Sequence, residues 1–179
     1  MYEVLKKFTY KGWNVQIGTS EESLSKEDCC FLGDLYSAHR IINPDNLKYS
    51  DILDENGKID WGFRNENYFL PLAYYEHGGI SLSVIESGDE VKGFDNGFFG
   101  VYAINRGSLL KMLDGCEYED LDKEADKIAR EEIQMLQNLL NGEVYYYEAE
   151  KNGKVIDGGL TLDLDATVQI AKDEIDCEE

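Results

Sequence analysis

The sequence predicts an α+β fold in which a mainly antiparallel sheet is packed by one long amphipathic helix, at about 121–140, and by shorter helices. Three observations support this fold class. Apolar residues recur with helical spacing over 121–140, segments of high β propensity lie before and after that helix, and several of them are joined by short turns. The 179 residues, 42% of them hydrophobic, are enough for one core, so we expect a single domain over residues 1–179.

The first half of the chain predicts four strands and two short helices. Residues 13–17 alternate apolar and polar side chains, as a half-buried strand does. Aromatic and β-branched residues predict further strands at 68–75, 79–85 and 97–104. Asn43-Pro44 predicts a turn or the start of a short helix through Leu47, and a second short helix is expected at about 108–113.

The long helix is the strongest element of the second half. Its apolar stripe consists of Leu121, Ala125, Ile128, Ala129, Met135, Leu136, Leu139 and Leu140. Asn141-Gly142 predicts its end, because both residue types tolerate a left-handed backbone. A strand at 143–150 and the turn Asn152-Gly153 then predict a β-hairpin, and Asp165 is predicted to cap a last helix that reaches Ile175.

The charge of the chain is strongly negative and unevenly placed. Asp and Glu number 37 against 17 Lys and Arg, a formal net charge of −20. Residues 1–113 carry 17 acidic and 11 basic side chains, a net charge of −6, whereas residues 114–179 carry 20 and 6, a net charge of −14. The net charge of −20 exceeds the roughly 2–8 charges that keep a small domain soluble. Phosphate groups would repel such a chain, so we expect no direct binding to nucleic acid or to anionic membranes.

Cysteine usage and the first residues of the chain indicate the cytoplasm. The N-terminal residues lack the apolar stretch of a signal peptide, and no run approaches the ~18 apolar residues of a membrane span. We therefore expect Cys29, Cys30, Cys116 and Cys177 to be reduced thiols. The adjacent pair lacks the spacing of a zinc site, the turn at Gly57 lacks the oxygen ligands of a calcium loop, and no phosphate-binding glycine motif is present. We expect no metal and no cofactor.

The two histidines are the candidates for catalysis. His77, in the sequence His77-Gly78-Gly79, is a possible general base with Asp95 or Glu76 nearby, and this leaves an enzyme as an alternative. A histidine before a glycine pair is more often a turn residue. His39 lies beside Arg40 and has no second catalytic signal. We therefore expect no catalytic residues.

The acidic second half suggests a surface that binds a basic partner. A dense line of carboxylates attracts Lys and Arg and resembles the charge of duplex DNA, which is about one charge per 1.7 Å of axis. The candidate partner-binding residues are Glu117, Glu119, Asp120, Asp122, Glu124, Asp126, Glu131 and Glu132, with Asp173, Glu174 and Asp176 as a second patch. Tyr145, Tyr146 and Tyr147 alternate between the faces of a strand, so one or two of them are candidate contacts and the rest are expected to pack in the sheet.

Several motifs resemble a family of phage and mobile-element proteins that has no assigned activity. The sequence has Leu-Pro-Leu at 70–72, Tyr-Glu-His-Gly-Gly at 75–79 and Asp-Asn-Gly-Phe-Phe-Gly at 95–100, and 32–40 and 141–153 are similar to the same family. It departs from the family pattern at Glu76, where aspartate is usual, at Gly78, where Ser or Thr is usual, and at 91–94, which lacks a Cys-Pro-Trp sequence. The resemblance implies a phage or mobile-element protein in the cytoplasm of a host cell.

Together the charge and the resemblance predict an inhibitor of a host defence nuclease that is not an enzyme. It would be an anti-CRISPR protein against a Cas9-type effector or an antirestriction protein, and it would occupy a basic nucleic-acid-binding cleft by imitating negative charge. Two alternatives stay open. One is a small phage-encoded enzyme that uses His77 and a nearby carboxylate; the other is an acidic adaptor or regulatory module, for which the long helix could form the interface of a homodimer.

Overall fold

The computed structural model describes residues 3–20, 24–87, 89 and 95–178, and this part of the chain has nine strands and four helices. The strands are β1 Val4–Tyr10, β2 Trp13–Thr19, β3 Asp34–Ser37, β4 Leu47–Lys48, β5 Asn67–Glu76, β6 Ile80–Val84, β7 Asn96–Asn105, β8 Tyr145–Lys151 and β9 Lys154–Thr161. The helices are α1 Trp61–Glu66, α2 Arg106–Met112, α3 Leu121–Leu140 and α4 Leu164–Cys177. The α+β class and the long helix are confirmed.

The strands form two sheets, and the chain divides into two compact units. The terminal unit combines Met1–Asp28 with Asn138–Glu179, and the central unit is Cys29–Gln137. The sequence had suggested one sheet, because local patterns show that strands exist but not which distant strands pair. The single-domain boundary stays a prediction, and each unit is described by itself.

The terminal unit contains a four-stranded antiparallel sheet in the order β1-β2-β8-β9. Two-residue turns join its outer hairpins, Lys11-Gly12 with φ of 46° and 80°, and Asn152-Gly153 with φ of 54° and 81°. Both residues of each turn are left-handed, and such turns fit the natural twist of a hairpin. The second turn is the one that the sequence predicted.

The core of the terminal unit lies between this sheet and α4. It contains Trp13, Val15, Ile17, Tyr147, Ala149, Ala171 and Ile175. The N-cap of α4 is Asp163, whose carboxylate accepts a hydrogen bond from the Ala166 N–H at 2.7 Å. The prediction that Asp165 caps this helix is therefore wrong by two residues, since Asp165 lies in the first turn of α4 itself.

The end of α3 follows the sequence prediction closely. Gly142 has a φ of +70°, its N–H donates to the Leu139 carbonyl at 3.1 Å, and the Glu143 N–H donates to the Asn138 carbonyl at 2.8 Å. This pair of hydrogen bonds is the Schellman motif that a glycine after a helix makes possible. The long helix thus ends in a fixed geometry just before β8.

The central unit contains a five-stranded sheet in the order β4-β3-β7-β5-β6. The short β3–β4 pair is parallel and the other pairs are antiparallel. Strand β7 is in the middle and is buried over most of its length. Side chains alternate along it: Val101 and Ala103 pack with Ile52 on one face, while the Tyr102 hydroxyl donates to Glu132 of α3 on the other.

The structure settles the prediction at Asn43-Pro44 but does not reach the stretch 91–94. Pro44 lies in a turn, as expected, but no helix forms at 43–47, where the chain instead enters β4 and a 3₁₀ turn at Tyr49–Ile52. The stretch 91–94, where the sequence departs from the phage family, lies outside the described residues.

Candidate functional site: the acidic segment at the start of α3

The predicted acidic site is centred on a cleft in the central unit, just before and within the first turn of α3. The cleft has a volume of about 700 Å³, and its lining includes Glu117, Tyr118, Glu119, Asp120, Lys123 and Glu124. The side chains of this lining thus include four carboxylates and one ammonium group. We call this the acidic cleft.

Asp120 fixes the end of the helix that borders the acidic cleft. One of its carboxylate oxygens accepts hydrogen bonds from the N–H groups of Asp122, at 2.9 Å, and Lys123, at 3.3 Å. It thus caps otherwise unpaired donors of the first turn, where negative charge also interacts favourably with the helix dipole. The sequence placed Asp120 in a binding surface, and the structure adds this positioning role.

Glu117, Glu119 and Glu124 are the uncompensated carboxylates of the acidic cleft. Glu117 and Glu119 are exposed and Glu124 is half-buried. Within the part of the chain that the structure describes, none of the three has a cation at ion-pair distance or a hydrogen-bond donor. Their charge is therefore available to a group from outside the chain.

Asp122, by contrast, is held by Arg106 in a two-point ion pair, with distances of 3.0 Å and 3.1 Å. The same guanidinium donates to the carbonyls of Arg64, Asn65 and Asn67 at the end of α1. Arg106 thereby joins the last turn of α1 to the first turn of α3. Arg106 therefore neutralises much of the charge of Asp122.

Asp126 is also engaged within the chain. One carboxylate oxygen accepts from the Tyr68 hydroxyl at 2.6 Å, and the other accepts from Arg130 at 2.9 Å. The hydrogen bonds from Arg130 and Tyr68 lower the pKa of Asp126, while burial and the neighbouring Asp126 raise the pKa of Tyr68. Arg130 also pairs with Glu86 at 2.9 Å.

Glu132 does not belong to the acidic surface, and its placement there is wrong. Its side chain is buried, and its two oxygens accept hydrogen bonds from the N–H groups of Leu32, at 2.5 Å, and Gly33, at 3.1 Å, and from the Tyr102 hydroxyl at 2.8 Å. A side chain at position 33 would collide with the Tyr102 ring, so glycine allows this close approach. Burial, together with the Glu132 charge, raises the pKa of Tyr102.

The remaining predicted acidic residues are exposed. Glu131 is exposed on α3 and has no partner among the described residues. The second patch lies on α4 of the terminal unit, where Asp176 pairs with Lys11 at 2.9 Å and Asp173 accepts from the Gln169 amide at 2.7 Å. The hydrogen bond from Lys11 lowers the pKa of Asp176. In this patch Glu174 is exposed and has no hydrogen bond or ion pair in the described structure.

The aromatic residue best placed for a contact is one that the sequence interpretation overlooked. Tyr118 lies in the acidic cleft between Glu117 and Glu119 and is 42% exposed. Of the three tyrosines considered from the sequence, Tyr147 is buried in the core, and Tyr145 and Tyr146 are half-buried. An aromatic residue among acids, outside the apolar stripe of α3, was the signal for Tyr118.

The other candidates of the sequence analysis include His77 and the four cysteines. His77 is exposed in the turn between β5 and β6, where its N–H donates to the Gly79 carbonyl and its ring stacks on Tyr75. The four cysteines are free thiols. Among the described residues, no group of three or more His, Cys, Asp and Glu side chains is arranged to hold a metal ion.

The fold and site therefore define an α+β protein with an open acidic cleft at a helix start. No protein-family model matches the chain, and no curated protein or solved structure is significantly similar to it. Over the described residues, none of the helices has the length and apolar character needed to span a membrane.

Proposed function

We propose that this chain is an inhibitor, without enzymatic activity, that imitates the negative charge of DNA and occupies the nucleic-acid-binding surface of a host defence nuclease. A Cas9-type effector and a restriction enzyme are the two targets of this proposal. The observation that carries it is the acidic cleft, where Glu117, Glu119 and Glu124 have no ion-pair partner among the described residues and Tyr118 is exposed between them.

The uncompensated charge supports a basic partner. Exposed carboxylates close together repel each other, and a partner that brings Arg or Lys side chains relieves this repulsion. Asp122 and Asp126 already have arginine partners, so they add less to the attraction. The binding surface that we propose is therefore narrower than the sequence suggested. It consists of the acidic cleft together with Glu131.

Apolar contacts would add specificity to this electrostatic attraction. Protein interfaces typically depend on a few aromatic or apolar anchors surrounded by polar groups. Tyr118 is such an anchor within the acidic cleft, and Leu110 and Met112, a few residues earlier on α2, are 45% and 49% exposed. The charge would draw in a basic surface, and these side chains would favour one with apolar pockets.

The test is a cleavage assay with a purified Cas9-type effector and a purified restriction enzyme, titrated with the protein at two salt concentrations. For one of the two nucleases, we expect inhibition at low salt to rise in proportion to the amount of protein added and to be complete near a 1:1 molar ratio. Inhibition should weaken as salt rises from about 50 to 200 mM, because the Debye length falls to about 8 Å or less. A catalytic mode of action would instead inactivate an excess of the nuclease.

A charge-matched pair of variants identifies the surface. The triple variant E117Q/E119Q/E124Q should weaken inhibition about tenfold, because three exposed ion pairs of about 0.5 kcal/mol each amount to about 1.5 kcal/mol, and about 1.4 kcal/mol corresponds to a factor of ten. The control E55Q/E66Q/E150Q removes three exposed carboxylates elsewhere and should change inhibition less than about twofold. Equal inhibition by both variants, or no inhibition of either nuclease by the wild type, would contradict the proposal.

A further inference from the structure

The central unit has a second cleft whose character is opposite to that of the acidic cleft. It has a volume of about 440 Å³, within the usual range of small-molecule sites, which is about 300–1,000 Å³. Its lining includes Arg40, Lys48, Asn43, His39 and Tyr49, and none of its lining residues in the described part of the chain has a carboxylate. We call it the basic cleft. It is independent of the inhibitor function proposed above.

The two cations of the basic cleft are uncompensated. In a chain with 37 acidic and 17 basic side chains, a basic residue has many potential partners, yet neither Arg40 nor Lys48 forms an ion pair within the described structure. The nearest carboxylates in sequence are directed to the backbone: Asp45 accepts from the Leu35 N–H and Asp51 accepts from the Lys48 N–H. An anionic group is the complement that this cleft lacks.

The loop that forms one wall of the basic cleft is held rigidly. The buried Ser37 hydroxyl donates to the Ile42 carbonyl at 2.6 Å, and the His39 N–H donates to the same hydroxyl at 3.1 Å. The Ala38 N–H donates to the Phe99 carbonyl of β7 at 2.8 Å. Gly100 allows this approach, because a side chain there would collide with the backbone at Tyr36. A site held in this way needs little rearrangement to bind a ligand.

The same loop fixes the proton position of neutral His39. Its Nδ1 accepts hydrogen bonds from the N–H groups of Ile41, at 3.3 Å, and Ile42, at 3.0 Å, so the ring proton is on Nε2. The ring packs edge-on against Tyr74, with 4.8 Å between centroids. Tyr49, which also lines the basic cleft, packs in the same way on Phe98 at 4.9 Å. The basic cleft therefore has two aromatic rings in fixed positions.

Asn43 adds a polar requirement that an anion alone does not meet. Asn43 is one of the lining residues of the basic cleft, and its side-chain oxygen is buried and accepts no hydrogen bond from the described residues. Buried acceptors are nearly always satisfied, by the protein or by a bound molecule. A hydroxyl or amino group is needed for Asn43, in addition to a negative group for Arg40 and Lys48.

We propose that the basic cleft binds a nucleoside monophosphate. The phosphate would contact Arg40 and Lys48, a sugar hydroxyl or base amino group would donate to Asn43, and the base would contact the rings of His39 and Tyr49. Inorganic phosphate meets only the first requirement and a nucleoside only the other two. A nucleotide meets all three.

The test is an NMR titration of the whole, ¹⁵N-labelled protein with each of the four ribonucleoside 5′-monophosphates, followed by adenosine, ribose 5-phosphate and inorganic phosphate. We expect at least one monophosphate to shift the backbone amides of 37–50 and to saturate below about 1 mM. It should bind at least about tenfold more tightly than ribose 5-phosphate or inorganic phosphate. If none of the four saturates, or if phosphate alone binds equally well, the proposal is wrong.

Matched variants separate this site from general electrostatics. The variant R40Q/K48Q should weaken binding of the best monophosphate about tenfold or more, because it removes the charge-assisted hydrogen bonds to phosphate. The control K58Q/K111Q removes two exposed cations of the same unit that do not line the basic cleft, and it should change the affinity less than about twofold. Well-dispersed spectra show that both variants are folded. Equal weakening in the two would overturn the proposal.

Discussion

Two neighbouring regions of the central unit use the same chemical group in different ways. Within α3, the carboxylates of Asp126 and Glu132 accept hydrogen bonds from tyrosines, an arginine and backbone N–H groups. Immediately before the helix, Glu117 and Glu119 have no such donors among the described residues and remain exposed. The first region uses its negative charge to hold the fold together, and the second leaves it available for a partner.

The comparison shows why net charge by itself is a poor guide to a binding site. A buried carboxylate whose hydrogen bonds are made within the fold cannot contact a partner. An exposed carboxylate can, although salt screens its charge. Three variants test this contrast. Their expected effects on stability run from large to nearly zero.

The largest effect is expected for Glu132→Ala. The substitution removes one acceptor from each of the Leu32 and Gly33 N–H groups and from the Tyr102 hydroxyl, which keeps the Gly33 carbonyl at 3.1 Å, and each lost acceptor of a buried donor costs about 1–3 kcal/mol. The free energy of unfolding, measured by urea denaturation, should fall by about 3 kcal/mol or more. The adjacent exposed control Glu131→Ala should change it by less than about 0.5 kcal/mol. A loss below about 1 kcal/mol would show that Glu132 is not a structural anchor.

An intermediate and pH-dependent effect is expected for Asp126→Asn. At pH 7 the substitution should lower the free energy of unfolding by about 0.5–1 kcal/mol, because the hydrogen bonds of Asp126 are weakened by its partial exposure to water. The pKa of Asp126 is lower in the folded protein than its ordinary value of 3.8, so its ionised form stabilises the fold above about pH 4. That contribution is lost as the pH falls through the lowered pKa.

The matching measurement is urea denaturation of the wild type and of Asp126→Asn at pH 7, 4 and 3. The difference between the two proteins should be largest at pH 7 and should shrink at pH 3. The control Glu55→Gln, at an exposed carboxylate, should differ from the wild type by less than about 0.5 kcal/mol at pH 7. A difference that grows on acidification would contradict the assigned role of Asp126.

The smallest effect on stability is expected for the triple variant of the acidic cleft, E117Q/E119Q/E124Q. These side chains make no ion pair within the described structure, and removing charges of one sign relieves mutual repulsion. The free energy of unfolding should change by less than about 0.5 kcal/mol, or rise slightly as salt is lowered. A clear destabilisation would place these residues with Glu132 as parts of the fold.

Much of the fold was predictable wherever the signal is local. The apolar stripe predicted α3 with its bounds, Asn141-Gly142 predicted its Schellman end, and Asn152-Gly153 predicted the β8–β9 hairpin. The turn at Lys11-Gly12 carries a weaker signal, because lysine is uncommon in the left-handed region, and β1 was not recognised as a separate strand. Strands β3 and β4 are short and pair with partners that no local pattern specifies.

The residue types of the candidate site were predictable from the sequence. Which of these residues are bound to partners within the fold was not. The run of acids at 117–132 is evident in the sequence, and the structure brings four of them to one cleft. That Glu132 is buried depends on Gly33 and Tyr102, which are far away in the sequence. The basic cleft was missed for a related reason. Arg40, Asn43 and Lys48 form a common wall only because β3, the following turn and β4 fold back together.

The division of the terminal unit between the two ends of the chain has a consequence for how the protein folds during synthesis. Tyr10 contacts Asp176 across 166 positions, and Lys151 contacts the Lys11 backbone across 140. The β1–β2 hairpin emerges from the ribosome first, but β8 and β9 emerge only after the whole of Cys29–Gln137. The central unit is contiguous and can fold before then. Until β8 is synthesised, the β2 edge of the β1–β2 hairpin has no strand to pair with. Slow translation would therefore prolong the time during which this edge can aggregate.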